Sequence, residues 1–353
     1  MKKILVLFPY QWGYNTDYLF YCKLLQQQFE VTYVGYDLGL PKIPTDGVRI
    51  VEIKHSGKLS IINYYKAIRQ ELKTRDYSFI FVNYFITCSL LLLLAPGHSR
   101  KIVDIRTSFI YPHKLKSWVL NMAMHLETAL FKNITVISEG VKSFLKLPYR
   151  SHVLPLGAPA FPAYNKSFEE LSFLYVGTFY DRNIVNTIEA FNLLVKSHQQ
   201  RIPLKYTIIG YGTEAEVNSV IQTIAKYNLE AFVSYKGAIR YPELNAYFSE
   251  HNVGISYIPL TPYYDCQPPT KTFEYMLSGH AVLGTNTTEN RRVIDKRNGV
   301  LTGDSIAEFY QGMLDIYESR FQYNSIAIQT AAKDFTWQAI VEHNLVPYLA
   351  SCK

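Results

Sequence analysis

The sequence predicts an α/β chain of two doubly wound parallel sheets in tandem, one per domain, with a cleft between the domains. Three observations lead there. The 353 residues suffice for two domains of about 150 residues each. Strand-length apolar runs alternate with stretches of helical spacing along nearly the whole chain. That alternation breaks once, at "GAPAFPAYNKSFEE" (residues 157–170), a polar stretch holding Pro159 and Pro162, and then restarts.

The elements follow in order. Lys2–Tyr10 is a continuous apolar run, as a strand covered on both faces requires. Asn15–Phe29 then places Tyr18, Tyr21, Cys22 and Leu25 at helical spacing, with Asn15 or Thr16 as the cap. Glu30–Tyr36 completes a βαβ unit, whose crossover is right-handed. Further strands are expected at Phe79–Phe85, Lys101–Ile105, Ile134–Ile137 and His152–Pro155, with helices between. Residues 1–160 are the first Rossmann-like domain. Past the break, strands at Leu171–Phe179, Leu204–Gly212, Phe232–Gly237 and Val253–Pro259 alternate with helices at Ile184–His198, Thr213–Asn228 and Tyr241–His251. Residues 165–333 are the second such domain, and 334–353 form a terminal helix returning to the first. Ligands of such sheets bind outside the carboxyl ends of the strands.

Composition narrows the class. Apolar residues make up 48% and charged residues 18%, which supports packed cores and argues against disorder. Residues 1–160 hold 20 Lys and Arg against 10 Asp and Glu, whereas the remainder holds 16 against 19. The basic half suits an anionic lipid surface, a phosphorylated ligand or nucleic acid; scattered solvated lysines are the plain alternative. Its basic residues are not interleaved with aromatics as in a nucleic-acid module, so nucleic acid is set aside. Cys22, Cys88, Cys266 and Cys352 lack metal or redox spacing. Reduced thiols, no signal peptide and a cytoplasmic location are expected. Phe79–Ala95 has 17 residues, short of the roughly 20 that a spanning helix needs. It is read as a strand followed by a buried helix over Thr87–Ala95.

Chemistry concentrates at "QPPTKTFEYMLSGHAVLGTN" (residues 267–286). Two prolines precede Thr270, and Lys271 and Glu274 share one side of the helix that starts there. A helix N-terminus offers unpaired N–H groups to phosphate, Lys271 adds a charge, and Thr270 can cap the helix or donate to a phosphate oxygen. Glu274 suits two hydroxyls of a ribose or sugar. An exposed Lys–Glu pair is the alternative reading. Arg182 stands near another helix start, where the helix dipole disfavours a cation unless an anion binds. Gly210 and Gly212 end a strand, where glycine admits a ligand or serves the turn itself. Neither a DxD motif nor His/Cys ligand spacing occurs, so neither a metal nor a cofactor is implied.

Taken together, "YVGTF", "YTIIGYG", "VSYKGAIRYPELNAYF", "GISYIPL" and "PPTKTFEYMLSGHAVLGTN…NGVL" resemble the retaining GT-B glycosyltransferases, especially glycosyltransferase family 4. The resemblance extends over most of residues 100–340. It implies transfer of a sugar from a UDP- or GDP-linked donor to a saccharide or lipid-linked acceptor, as in bacterial surface polysaccharide synthesis. By it, Arg182 and Lys271 hold the diphosphate, Glu274 takes the ribose, Ile239 and Arg240 lie near the base, and Gly13, Thr178, Gly210, Gly212, Asp265, Gln267 and Thr270 line the donor site. The first glutamate of the family's paired-glutamate motif falls on Cys266, with Asp265 and Gln267 beside it. Thr178 and Arg292 also depart from the pattern. "VDIRTSFIYP" (residues 103–112) is similar to a variant loop in which Arg106 stands near the reacting sugar and Thr107 replaces an aspartate. The segment Ser108–Lys132, with Trp118, Leu120 and Met124, could rest on an anionic membrane at the inner face of the cell, or pack as a core helix. Two rivals remain: a nucleotide-sugar epimerase or hydrolase, and a binding protein without turnover.

Overall fold

The computed structural model describes residues 1–352 except positions 56, 58, 96, 110 and 112. Ile110 and Pro112, within the stretch read from Ser108 to Lys132, lie outside the described residues. The chain forms two units, Met1–Leu156 with Trp337–Lys353, and Gly157–Thr336.

The first unit is built on a fully parallel sheet of seven strands: β1 (Lys2–Leu7), β2 (Phe29–Asp37), β3 (Arg49–Lys54), β4 (Phe79–Asn83), β5 (Arg100–Ile105), β6 (Asn133–Val136) and β7 (His152–Val153). Their order is β3-β2-β1-β4-β5-β6-β7. Ile4, Leu5, Val6 and Leu7 are all buried, because β1 is covered on both faces. Asn15 caps helix Thr16–Leu25 by accepting the Tyr18 N–H. Strand β3 and the helix Ser60–Thr74 were not singled out from the sequence. β3 is an edge strand with no fully buried residue, so it lacks an apolar run.

The buried helix expected at Thr87–Ala95 is shorter, irregular and only partly buried. A 3₁₀ turn, Cys88–Leu90, leads into one helical turn, Leu91–Leu94. Leu91 is buried, but Leu93 is 78% exposed. Thr87 takes a left-handed backbone (φ 78°) and its N–H donates to Glu127, which starts the chain afresh there. Among the described residues no helix is long and apolar enough to cross a membrane.

At the C-terminus, Trp337–Ile340, a π-helical turn at Val341–Leu345 and Val346–Ser351 run on as one helical stretch. Trp337 stacks on Phe20 and meets Tyr21 edge-on, each with ring centres 5.6 Å apart. Tyr348 stacks on His152 at 4.3 Å and donates to the Ile134 carbonyl.

A charged network lies inside this unit. Asp104 accepts from Tyr18 and Thr135, both at 2.7 Å. Arg106 donates to Asp17 at 2.7 Å and to the Leu154 carbonyl at 2.9 Å. Burial works against the Arg106 charge, but Tyr21, Asp17 and Asp104 outweigh it and hold its pKa above the ordinary value. Burial raises the Asp104 pKa, while Arg106, Thr135 and Tyr18 oppose that.

The second unit carries a six-stranded parallel sheet: β8 (Leu171–Thr178), β9 (Leu204–Tyr211), β10 (Val233–Tyr235), β11 (Val253–Ser256), β12 (Ala281–Thr285) and β13 (Gly299–Thr302). The order is β10-β9-β8-β11-β12-β13. The proline-containing stretch read as the domain break is tied to this unit. Asn252 donates to the Ser167 and Glu170 carbonyls, Gln329 to those of Phe161 and Pro162, and Lys166 to that of His251. A segment without its own ladder thus finds partners for its backbone.

Candidate functional site

In the second sheet the winding reverses between β8 and β11. Ligands of open α/β sheets bind at such a switch point, beyond the carboxyl ends of the strands. Lys271 is placed there. Its Nζ donates to the Tyr257 carbonyl, one residue past β11, at 3.3 Å. It also lies 4.2 Å from the centre of the Tyr175 ring, in β8. Gly177, at φ +154°, lies beside them: a Cβ there would meet Tyr175 Oη at 3.3 Å and Lys271 Nζ at 3.8 Å.

Local packing puts Lys271 in that position. Pro269 is the N-cap of helix Thr270–Leu277 and supplies no side-chain acceptor. Thr270, expected as a possible cap, is instead the first helical residue and is exposed. The helix is clamped from below. Tyr275 Oη accepts the Val176 N–H at 2.9 Å, and Thr272 joins the Ser256 and Asn290 side chains. The Tyr275 ring lies directly over Gly254 of β11, where a Cβ would meet its Cγ at 2.1 Å. Gly254→Ala is therefore expected to cost about 1–3 kcal/mol by overpacking and to tilt the helix. Denaturant unfolding together with nucleotide titration checks this; an unchanged midpoint and affinity would refute it.

Glu274 follows one turn on, half-buried. Among the described residues it makes no ion pair with Lys271, so the exposed-pair reading is not what the helix shows. Burial pushes the Glu274 carboxyl up to about 7, with Lys271 pulling the other way. Burial first, then the charge of Arg182, holds Lys271 well below the lysine range, opposed by Glu274. Arg182 lies in the loop between β8 and helix Val185–His198. Its guanidinium stands 4.0 Å over the Tyr264 ring. Its Nη1 is buried without a hydrogen-bond partner among the described residues, as is Gln267 Nε2. Lys271 and Arg182 thus lie close enough to repel each other, and that repulsion outweighs the pull of Glu274 on Lys271.

The other residues singled out from the sequence divide into groups. Asp265 is occupied: its carboxylate accepts from Thr288 N–H and Oγ1, at 2.8 and 2.7 Å. The Cys266 thiol donates to the Tyr263 carbonyl at 3.1 Å, and burial raises its pKa to about 11, so it stays neutral. A Cβ on Gly210 would fall 1.9 Å from the Gly177 carbonyl oxygen, and one on Gly212 2.8 Å from Glu216. Strand pairing and a helix cap already account for both glycines. Thr178 Oγ1 accepts the Tyr180 N–H at 3.3 Å. Arg240 is the N-cap residue of helix Tyr241–Glu250 and is exposed, with half-buried Ile239 before it. Their loop joins β9 through the Gly210 N–H, which donates to the Gly237 carbonyl. Arg106 and Gly13 belong to the first unit. Gly13 has φ +85° and packs under Ile43, in the turn before helix Thr16–Leu25.

Three aromatics were missed: Tyr175, Tyr257 and Tyr264. Each reads in sequence as part of a strand or loop. Nothing along the chain shows that Tyr175 and Tyr264 lie under the two cations.

Comparison with known proteins bears on the fold that carries these residues. Residues 170–319 match the family model described as glycosyl transferases group 1. Sucrose-phosphate synthase from Thermosynechococcus elongatus superposes with a TM-score of 0.76 at 15% identity, over 99% of each chain. The fold is that of the GT-B glycosyltransferases. The lipopolysaccharide outer core galactosyltransferase WaaB shares this GT-B fold at a TM-score of 0.74 and 14% identity, over 99% of each chain. HepE of Anabaena, in complex with UDP, does so at 0.74 and 13%, over 99% of this chain and 100% of its own. No curated protein matches by sequence.

Proposed function

We propose that the protein transfers a sugar, a hexose, from a UDP- or GDP-linked donor to a saccharide or lipid-linked acceptor. We place the reaction in bacterial surface polysaccharide synthesis, on the cytoplasmic side of the membrane. The carrying observation is the pair Arg182 and Lys271 at the switch point of the second sheet, whose mutual repulsion Glu274 only partly offsets. Two half-buried cations that repel each other suit a diphosphate, whose charge offsets the repulsion. Glu274 is held one helical turn away, its carboxylate without a hydrogen bond or ion pair among the described residues and so available to ribose hydroxyls. The UDP held by the GT-B neighbour HepE supports the same ligand class.

In this reading the acceptor oxygen bonds to the anomeric carbon on the face from which the diphosphate departs, and configuration is retained. The bond from that carbon to the phosphate oxygen breaks, and its electron pair stays on the phosphate. The departing oxygen takes the acceptor's proton. Arg182 and Lys271 neutralise the charge as it develops, in place of a metal ion. Arg106, in the first unit, is positioned by Asp17 and the Leu154 carbonyl.

A thermal-shift series with UDP, GDP and their sugars tests the donor site. At a hundredfold excess over Kd the matching nucleotide is expected to add about 2.7 kcal/mol of stability. Arg182→Ala is expected to remove that gain. A flat series with the wild type would overturn the proposal. The neutral Cys266 thiol favours a second reading, a nucleotide-sugar binder without turnover. A nucleotide-induced shift with no sugar released or transferred, across acceptors, would establish it.

A further inference from the structure

We propose that the exposed face of helix Lys114–Ala129 docks on an anionic lipid bilayer. The helix is amphipathic in the inverse sense. Its inward side holds Met124 and Thr128, whereas Leu115, Trp118, Val119, Met122 and Leu126 are exposed, and Leu130 continues the row. These positions share one helical stripe. Leu115 is 73% exposed, Trp118 60% and Leu126 61%, values that a helix buried against its own protein does not show. The stripe therefore differs from the sequence expectation, which had named Leu120 and Met124.

Charge decides the occupant. Lys114 and Lys116 flank the first turn of the stripe. Its far end, at Leu130, opens on a groove of about 560 Å³ also lined by His98, Arg100, Lys101 and Lys132. Glu127 is the one acidic residue between positions 105 and 138, and it is turned inward, accepting the Thr87 and Ser89 N–H groups. An apolar ridge with cationic ends and no outward acid matches hydrocarbon and anionic headgroups together. A second copy of the chain would instead set like charges face to face. The helix starts after the carboxyl end of β5, so a docked bilayer lies beside the edge of the first sheet where ligands enter.

Co-sedimentation of the full chain with phosphatidylcholine vesicles, with and without phosphatidylglycerol, tests this independently of sugar transfer. Binding is expected only with phosphatidylglycerol, weakened by salt, with a blue shift in emission. Trp12 and Trp337 are buried, so Trp118 reports the shift. The double variant Trp118→Ala/Leu126→Glu is expected to lower partitioning by about tenfold or more. Lys114→Glu/Lys132→Glu, which leaves the apolar row intact, is expected to lower it by about tenfold. A wild-type chain left in the supernatant with both vesicle types overturns the proposal. So does vesicle binding unchanged by either variant. A wild-type dimer in light scattering that Leu126→Glu dissociates would assign the face to a second copy and also overturn it.

Discussion

Lys271→Ala is expected to lower kcat/KM for the nucleotide sugar by about a hundredfold to a thousandfold, the loss seen when one preorganised donor to a developing negative charge is removed. The same change is expected to leave the unliganded chain as stable as the parent, or more stable. The ammonium is half-buried, and Arg182 disfavours its charge further. Removing it removes repulsion that Glu274 only partly offsets and that a bound anion would relieve. The pH dependence follows from the direction of the shift. The folded-state pKa of Lys271 is depressed, so between that value and the ordinary lysine value the unfolded chain holds the extra proton. In the parent this group makes stability rise with pH across that window; Lys271→Ala loses the rise. Diphosphate binding restores the charge, so binding within the window is expected to take up a proton. Calorimetry in two buffers of different ionisation enthalpy measures that uptake. A variant that turns over normally, or loses activity only by unfolding, would contradict the assignment.

Arg106→Ala is expected to cost about 3–5 kcal/mol of unfolding free energy, the penalty for stranding a buried charge. Asp17 would lose the guanidinium it meets at 2.7 Å, and Asp104 the cation 3.9 Å away. Arg106→Lys is expected to recover only part, because an ammonium cannot reach Asp17 and the Leu154 carbonyl in the fork geometry of a guanidinium. Pairing Arg106→Met with Asp17→Leu should return much of the loss, since both charges then leave the interior together. Urea unfolding of the four chains tests this. If Arg106→Ala kept the wild-type midpoint and slope, the network would not be holding the first unit. If it kept the midpoint but lost turnover, Arg106 would act on the reacting groups themselves.

Much of the fold was legible from apolar runs alone. Strands β1, β2 and β8 are covered on both faces, and continuous burial leaves a continuous apolar run. Strand β3 left no such run, because one edge and much of its surface meet solvent. The helix read at Thr87–Ala95 shows the limit of composition: five leucines favour a long buried helix, but after a left-handed Thr87 held by Glu127, 40 residues away, the chain makes only a 3₁₀ turn and one helical turn. The candidate site was legible as residue types at helix starts, namely Arg182, Lys271 and Glu274. Their isolation was not. Whether Lys271 and Glu274 pair, and which aromatic rings lie under the cations, depends on how helix Thr270–Leu277 packs on Gly254.

By itself the sequence determined the alternation of strands and helices, hence the two parallel sheets, because hydrophobic period and capping are local properties of the chain. It also determined that cations stand where strands end and helices begin. Only the tertiary structure decided that Asp265 is consumed by Thr288 and that Arg182 and Gln267 keep buried donors without partners among the described residues. It alone showed that helix Lys114–Ala129 turns its apolar side outward. Those outcomes depend on which side chains from distant segments arrive first at each polar atom or apolar face, and no local pattern records that competition.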